Sequence, residues 1–354
     1  MKKLISMLLL FGMGSSSWAA VVTYTRVATG SWTNLAQWKD NATGSFVFST
    51  VLPGAADLVV INNNLSLTAN ADATVGTLQV VNNATAGTLT MNSANTLSAG
   101  VLQVGVTSTG TGIVNQTAGT ISAITTTVGR ATGNVGTYNL SGGKLDVKST
   151  LTVSATGLVD VKGGTLSLSG GGTHTISGVG TIKLSSGLFE IDASMANTNV
   201  LNFTPGLFDV SGGTNNLDAV VRVGSLTAQT EFRVVGDAAT INISKLQQAS
   251  SVTTNGVFHF IFNATGISTI NSSIFQTMDG AKIVVDGSAY TGPDGTFTLF
   301  DSPNLSSLVD TNNITITGFG SKTVSIVQDQ SAGKDWVQLV VVSPVRSLSL
   351  VIIQ

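Results

Sequence analysis

The chain has 354 residues, no cysteine and a formal net charge of −2, and only 10% of its residues are charged. The missing cysteine excludes disulfides, Cys-based metal sites and Cys nucleophiles. The weak negative charge provides no basic field, so we expect no nucleic-acid partner. A mean hydropathy of +0.36 and 40 glycines without a three-residue period argue against disorder and against collagen. These features predict a β-rich protein with many tight turns.

The N-terminus has the order of features that is typical of a secretion signal. Lys2 and Lys3 precede an apolar run at 4–13, and small residues lead to a small-x-small cleavage site that ends at Ala19. We therefore predict a signal peptide over 1–19 and a secreted protein. Its removal takes the formal charge from −2 to −4. The apolar run is too short to span a bilayer comfortably, so no stable transmembrane segment is expected in the mature chain.

Residues 20–60 differ in character from the rest of the mature chain. They contain two closely spaced tryptophans, Trp32 and Trp38. A solenoid has an open apolar end that must be covered, and the sequence predicts an N-terminal cap here with both indoles packed over the first turn. The alternative is an aromatic pair that faces a glycan.

The segment from 61 to 230 carries an internal repeat. Residues 136–147 read GTYNLSGGKLDV, and the related LVDVKGGTLSL occupies 158–168. At an offset of 21, apolar positions fall on apolar positions and Gly pairs fall on Gly pairs, while polar residues alternate between them. Three short strands in each unit of about 21–24 residues are typical of an all-β parallel β-helix, or β-solenoid. A sandwich of antiparallel hairpins would instead require two-residue Asn-Gly or Asp-Gly turns, which are scarce here.

The C-terminal part has larger apolar side chains. Eleven of the fourteen phenylalanines lie beyond residue 188, and the run 257–262 places three of them on one face of a strand. We predict a Phe-richer β region over 231–343, in which the solenoid either broadens or is capped, and a tail over 344–354.

Candidate sites are few. Asp146 and Lys148, and likewise Asp160 and Lys162, are outward i,i+2 pairs that could face a glycan, although such pairs are more often solvated charges that protect a sheet edge. Neither of the two histidines, His174 and His259, has a neighbour at metal-ligand spacing in the sequence. The sequence predicts no catalytic residue, no metal site and no cofactor.

The segment VGRATGNVGTYNLSGG at 128–143 resembles the repeat of autotransporter-like, PEP-CTERM-sorted β-helical exoproteins of planctomycete and verrucomicrobial type. The opening GSWTNLAQW and the segments DGSAYTGPDGTFTLF and WVQLVVV look like the usual beginning and end of such proteins. The resemblance implies a bacterial protein at the cell surface or outside the cell. The tail departs from the family, because SPVR stands where Pro-Glu-Pro, an apolar helix and a basic cluster are usual.

Two functional hypotheses remain. The sequence favours a secreted, non-catalytic β-solenoid that is a structural or adhesive element of the cell surface or extracellular matrix. The alternative is a carbohydrate-active β-helix that binds or cleaves an extracellular polysaccharide. Expected partners are accordingly polysaccharides or cell-surface components.

Overall fold

A computed structural model describes the residues 22–40, 47–48, 51–62, 64–81, 85–106, 109–130, 133–170, 173–177, 180–191, 200–204, 206–224, 230–248, 256–276, 280–303, 309–331 and 334–344. The chain forms a parallel β-solenoid, as the sequence predicts. Two 3-10 turns, Leu35–Gln37 and Thr311–Asn313, are the only helical elements in this described part. No helix within it is long and apolar enough to cross a membrane. The predicted signal peptide and the tail beyond Pro344 lie outside the described residues.

Each turn of the solenoid, here called a rung, contributes one strand to each of three columns of parallel strands. Column A contains β2 (Gly30–Ser31), β6 (Leu65–Thr68), β8 (Ala86–Met91), β10 (Thr111–Gln116), β12 (Val135–Leu140), the first halves of β14 (Gly157–Leu168) and β16 (Thr181–Ile191), β18 (Leu207–Val210), β20 (Thr230–Val235), β22 (Gly256–Ile261), β24 (Lys282–Asp286) and β26 (Ile314–Thr317).

Column B contains the first halves of β7 (Ala73–Val80), β9 (Thr96–Val104), β11 (Thr120–Val128), β13 (Lys144–Val153), β19 (Gly213–Val223), β21 (Ala239–Gln248) and β23 (Ile270–Gln276), the second halves of β14 and β16, and β25 (Gly295–Ser302). Column C contains β1 (Thr23–Arg26), β5 (Leu58–Ile61), β15 (Thr173–Ser177), β17 (Val200–Thr204) and the second halves of β7, β9, β11, β13, β19, β21 and β23.

The pairing register equals the alignment of the sequence repeat. Tyr138 pairs with Val159 and Leu140 with Val161 in column A, while Leu145 pairs with Leu166 in column B. All six side chains are fully buried. Since successive side chains of a strand point to opposite faces, the apolar set of every rung lies inside and stacks on the next rung.

A glycine occupies the corner between columns A and B in successive rungs. Gly143 and Gly164 have φ values of +73° and +71°, a region that residues with a side chain rarely adopt. A Cβ on Gly164 would lie 2.6 Å from the carbonyl oxygen of Gly143 in the rung below. The Gly-Gly pairs are therefore required both by the turn and by the close approach of stacked backbones.

The parallel columns continue without interruption past residue 230, where the sequence analysis placed a boundary. Column A runs from β18 through β20, β22 and β24 to β26. Phe208, Phe232 and Phe258 stack inside it, with ring centroids 5.0 Å and 6.1 Å apart. The larger side chains thus fill the interior of the same solenoid. Phe258, Phe260 and Phe262 are buried on one face, as expected.

Antiparallel strands lie at both ends of the solenoid. At the N-terminal end, β3 (Trp38–Asp40) pairs with β1 and with β4 (Val47–Phe48). At the C-terminal end, β28 (Lys334–Val342) pairs with β25 and with β27 (Thr323–Ser331).

The two tryptophans belong to the core of the N-terminal end. Trp32 and Trp38 are at most 1% exposed, their rings meet edge to face at 5.3 Å, and Trp38 Nε1 donates to the Trp32 carbonyl at 2.9 Å. The Arg26 guanidinium lies 4.9 Å from the centre of the Trp38 ring. Neither indole presents an open face to a glycan, because the interior of the first rungs takes up both.

Candidate functional site

An open groove of about 830 Å³ runs along column B. Seven successive strands contribute to it, from β13 to β25, so its length is about 28 Å at the usual spacing of 4.7–4.9 Å between strands. We call it the column-B groove. Its lining residues are Lys144, Ser167, Ser169, Glu190, Ile191, Asn216, Leu217, Asp218, Asn242, Ile243, Ser244, Asn271, Ser272, Ser273, Asp301, Ser302 and Pro303.

One outward position of each rung forms the polar wall of the groove. Because the strands are parallel and in register, equivalent positions stack directly on one another. The stacked positions, in rung order, are Ser122, Asp146, Ser167, Glu190, Asn216, Asn242, Asn271 and Asp301. The wall therefore presents hydroxyl, amide and carboxylate groups in a single row along the solenoid axis.

Direct side-chain contacts connect different rungs along the groove. Asn242 Nδ2 donates to Asn216 Oδ1 at 3.0 Å. Lys144 Nζ lies 3.6 Å from Glu190 Oε1, and both side chains are partly exposed, at 41% and 35%. This is the one place in the groove where a carboxylate and an ammonium group come together among the described residues.

Short connections between columns B and C add the second side of the groove. The register shifts between Leu217 and Val220, which places Asp218 and Ala219 opposite a single residue of the next rung at this corner. Asp218 lines the groove and Ala219 is buried. Neither Asp218 nor Asp301 forms an ion pair within the described residues, so the groove has two carboxylates that no lysine or arginine neutralises.

The sequence-predicted residues Asp146 and Lys148 lie at the near end of this wall. Asp146 is partly exposed and accepts a hydrogen bond from Ser169 Oγ at 2.6 Å, while Lys148 is exposed. Asp146 pairs with Ser167, at the offset of 21 that aligns the sequence repeat. The groove begins beside this pair and extends away from it toward the C-terminal rungs.

Asp160 and Lys162 lie in column A, on a different face. They form an ion pair, with Lys162 Nζ 2.7 Å from Asp160 Oδ2. Lys162 is exposed, but Asp160 is only 7% exposed, so it is not the solvated charge that the sequence analysis expected. The reason is stacking: Asn139 and Lys183 occupy the equivalent positions in the two adjacent rungs and limit access of water to the carboxylate. The predicted pairs are thus not brought together into one site.

Column A carries its own row of charges on its outer face. Equivalent positions in successive rungs alternate in sign from Asp160 through Lys183 and Asp209 to Arg233, and His259 occupies the next position. Glu231 lies beside the row: its Oε1 accepts from Arg233 Nε at 2.8 Å and is also 2.8 Å from His259 Nδ1. Burial alone would raise the pKa of Glu231, but the hydrogen bonds from Arg233 and His259 outweigh it and lower that pKa.

Sequence reasoning missed this contact of His259. Glu231 and His259 are 28 residues apart, so no local motif connects them, and only the pairing of β20 with β22 does. The side chain of His174 is not among those that the structure describes.

Asp209 is the least well compensated group of the row. Its Oδ1 is buried and has no hydrogen-bond partner in the described part of the chain. Burial raises the pKa of Asp209, and the attraction of Arg233 and Lys183 offsets that rise only in part. The ionised form of Asp209 is therefore disfavoured in the folded chain.

A buried polar network crosses the interior between columns A and B. Tyr138 is fully buried and donates through its hydroxyl to Gln116 Oε1 at 2.5 Å. Gln116 Nε2 in turn donates to the carbonyl oxygens of Gly119 and Lys144, at 3.0 Å and 2.9 Å. Burial raises the pKa of Tyr138 well above its usual value, so the phenol stays protonated and remains a donor. The network ties two adjacent rungs together inside the core.

Within the described residues, no group of three or more His, Asp or Glu side chains is arranged to hold a metal ion. The chain shows no match to any protein-family model, to any curated protein or to any solved structure.

Proposed function

We propose that the chain is a secreted, non-catalytic β-solenoid that serves as a structural or adhesive element of the bacterial cell surface or extracellular matrix. The autotransporter-like exoproteins that its repeat resembles provide the setting. The observation that supports the proposal most is the continuous, in-register stacking of rungs around one apolar core, with a row of amide, hydroxyl and carboxylate groups displayed along one face.

The architecture suits such a role for a physical reason. Every rung hydrogen-bonds to its neighbours along the whole axis, so the molecule is a stiff rod whose stability is the sum of rung-to-rung interfaces. Fixed side chains on a stiff rod lose little conformational freedom when they contact a repetitive surface, and this reduces the entropic cost of binding.

The test is made on the cells that produce the protein. Brief protease treatment of intact cells should degrade the chain, and deletion of its gene should reduce attachment of the cells to a surface or matrix. Re-expression of the full chain should restore attachment. Protection from protease in intact cells, together with unchanged attachment after deletion, would contradict the proposal.

A second candidate function is cleavage of a polysaccharide in the column-B groove. It is favoured by one observation, the contact of Glu190 with Lys144 at 3.6 Å inside the groove. A carboxylate and an ammonium group side by side are groups that can transfer protons in general acid–base catalysis. The second carboxylate that glycoside hydrolysis normally requires would have to come from Asp218 or Asp301.

An activity screen against neutral and acidic polysaccharides distinguishes the two candidates. An enzyme would lose turnover in Glu190→Gln and in Lys144→Met. The control Asp310→Asn changes an exposed carboxylate outside the groove and keeps an oxygen that can accept from the Asn312 amide. Turnover that survives in the control and disappears in Glu190→Gln would establish the enzyme and refute the non-catalytic proposal.

A further inference from the structure

We infer that the column-B groove binds an extended glycan strand that carries amino groups, with the strand aligned along the solenoid axis. The inference rests on the proposed adhesive function and adds to it a site and a ligand class. It draws on the shape of the groove, on its hydrogen-bonding groups and on its charge.

The shape favours a polymer over a small molecule. The groove follows the stacked strands for about 28 Å and is open along its length, with a volume of about 830 Å³. A compact metabolite would leave most of this length uncovered, since small-molecule sites usually enclose most of the ligand surface. A linear chain that lies across consecutive rungs would contact one polar side chain of the stacked row at each step.

The hydrogen-bonding groups match those of sugars. Asn216, Asn242 and Asn271 stack in three successive rungs, and each amide has donors and acceptors for the hydroxyl groups of a carbohydrate. Asn216 and Asn242 are exposed, and the hydrogen bond between them engages only one donor and one acceptor. The remaining groups are available to a ligand.

The charge selects among glycans. Three carboxylates, those of Glu190, Asp218 and Asp301, line the groove against one ammonium group, that of Lys144. Lys144 is engaged by Glu190, which leaves Asp218 and Asp301 without an ion-pair partner in the described chain. Like charges at a binding surface are strongly disfavoured. The groove should therefore repel polyuronates and attract sugars with protonated amino groups.

Isothermal titration calorimetry of the mature protein tests the inference, with three hexasaccharide probes at mildly acidic pH. The probes are a glucosamine hexamer, cellohexaose and hexagalacturonate. We expect the glucosamine hexamer to bind most tightly, cellohexaose more weakly and hexagalacturonate not at all. Tighter binding of cellohexaose or hexagalacturonate than of the glucosamine hexamer, or no binding of any probe, would overturn the inference.

Matched variants locate the site. Asn242→Ala should weaken binding of the glucosamine hexamer about fivefold, the effect of losing one hydrogen bond. Asp218→Asn should weaken it by a factor that shrinks as salt is added. The control is Asn139→Ala, which removes an equivalent inter-rung Asn–Asn hydrogen bond, 2.9 Å long, from the outer face of column A. Equal effects of Asn242→Ala and Asn139→Ala would show that the groove is not the site.

The result is separable from that for the proposed function. Loss of cell attachment on gene deletion, combined with failure of all three probes, would refute this inference and leave the adhesive role intact. Calorimetric binding without any attachment phenotype would refute the adhesive role and leave the groove as a glycan site.

Discussion

Replacement of Tyr138 by Phe tests the buried polar network directly. Phe fills the same space in the core but removes the hydroxyl that donates to Gln116 Oε1 at 2.5 Å. Tyr138 and Gln116 are both fully buried, so no water can replace the lost donor. A buried acceptor left without a partner costs about 1–3 kcal/mol, and we expect the free energy of unfolding to fall by about 2 kcal/mol.

The partner substitution Gln116→Leu should lower the free energy of unfolding by more than Tyr138→Phe does. It leaves the Tyr138 hydroxyl without its acceptor and also removes the donor to the Gly119 and Lys144 carbonyl oxygens. The Gly119 carbonyl keeps a second donor, the Lys144 amide at 2.9 Å. In the double variant both members of the Tyr–Gln pair are absent, so the combined loss should be smaller than the sum by about 1–2 kcal/mol.

The assay must be local, because long repeat arrays do not always unfold in one step. Native-state hydrogen exchange of the amides in β10 and β12 reports the opening free energy of these strands, and urea unfolding followed by circular dichroism reports the whole solenoid. Tyr290→Phe is the control, since its hydroxyl donates to the Pro293 carbonyl in a partly buried turn, where water can substitute. A Tyr138→Phe protein as stable as the parent, or strictly additive losses, would refute the reasoning.

Three other predictions concern the stacking of rungs. Gly164→Ala should destabilise the protein clearly more than Gly320→Ala in urea unfolding. Both positions have positive φ, +71° and +62°, but only at Gly164 would the new Cβ lie within 2.6 Å of a backbone oxygen. Equal losses of stability would show that the backbone conformation alone decides. Val161→Asp should lower the free energy of unfolding by more than about 3 kcal/mol in the same assay, because it buries a carboxylate between rungs. Lys162→Ala should lower it by less, since it only removes the exposed partner of Asp160. The reverse order would show that the register is wrong. Asp209→Asn should raise the free energy of unfolding at neutral pH, because the pKa of Asp209 is raised in the folded chain and its ionised side chain opposes folding above that pKa. The stabilisation should disappear as the pH falls below the usual pKa of 3.8, where Asp209 is protonated in both states. Melting temperatures of the variant and the parent, compared between neutral pH and pH below 3.8, test this.

The sequence was sufficient for the architecture because a parallel solenoid stacks equivalent residues. Tyr138 and Val159 are aligned by the repeat and are also partners in the sheet, so the alignment of the repeat is the register of the fold. Alternation then assigns the inward and outward faces. No comparable rule exists for a fold in which paired strands are unrelated in sequence.

The column-B groove could not be predicted from the sequence, because the rung length is not constant where the groove is formed. Asp146 and Ser167 are 21 residues apart, but Asn242 and Asn271 are 29 apart, and the insertions hide the repeat. The contact of Glu231 with His259 was missed for the same reason. Gln116 occupies an inward position between Met91 and Leu140, which the pattern would assign to an apolar residue, and only the position of Tyr138 explains it.

The antiparallel strands at the two ends have a consequence for how long the molecule can become. A column of parallel strands leaves unpaired backbone groups at each end, onto which another copy could add in the same direction and so build a fibre. Here column C at the N-terminal end and column B at the C-terminal end are covered by antiparallel strands, by β3 and β4 beside β1 and by β28 and β27 beside β25. An incoming copy would meet a strand of the wrong polarity at these two columns and could not continue their parallel stacking. Extension of the solenoid by another copy is therefore blocked at one column of each end.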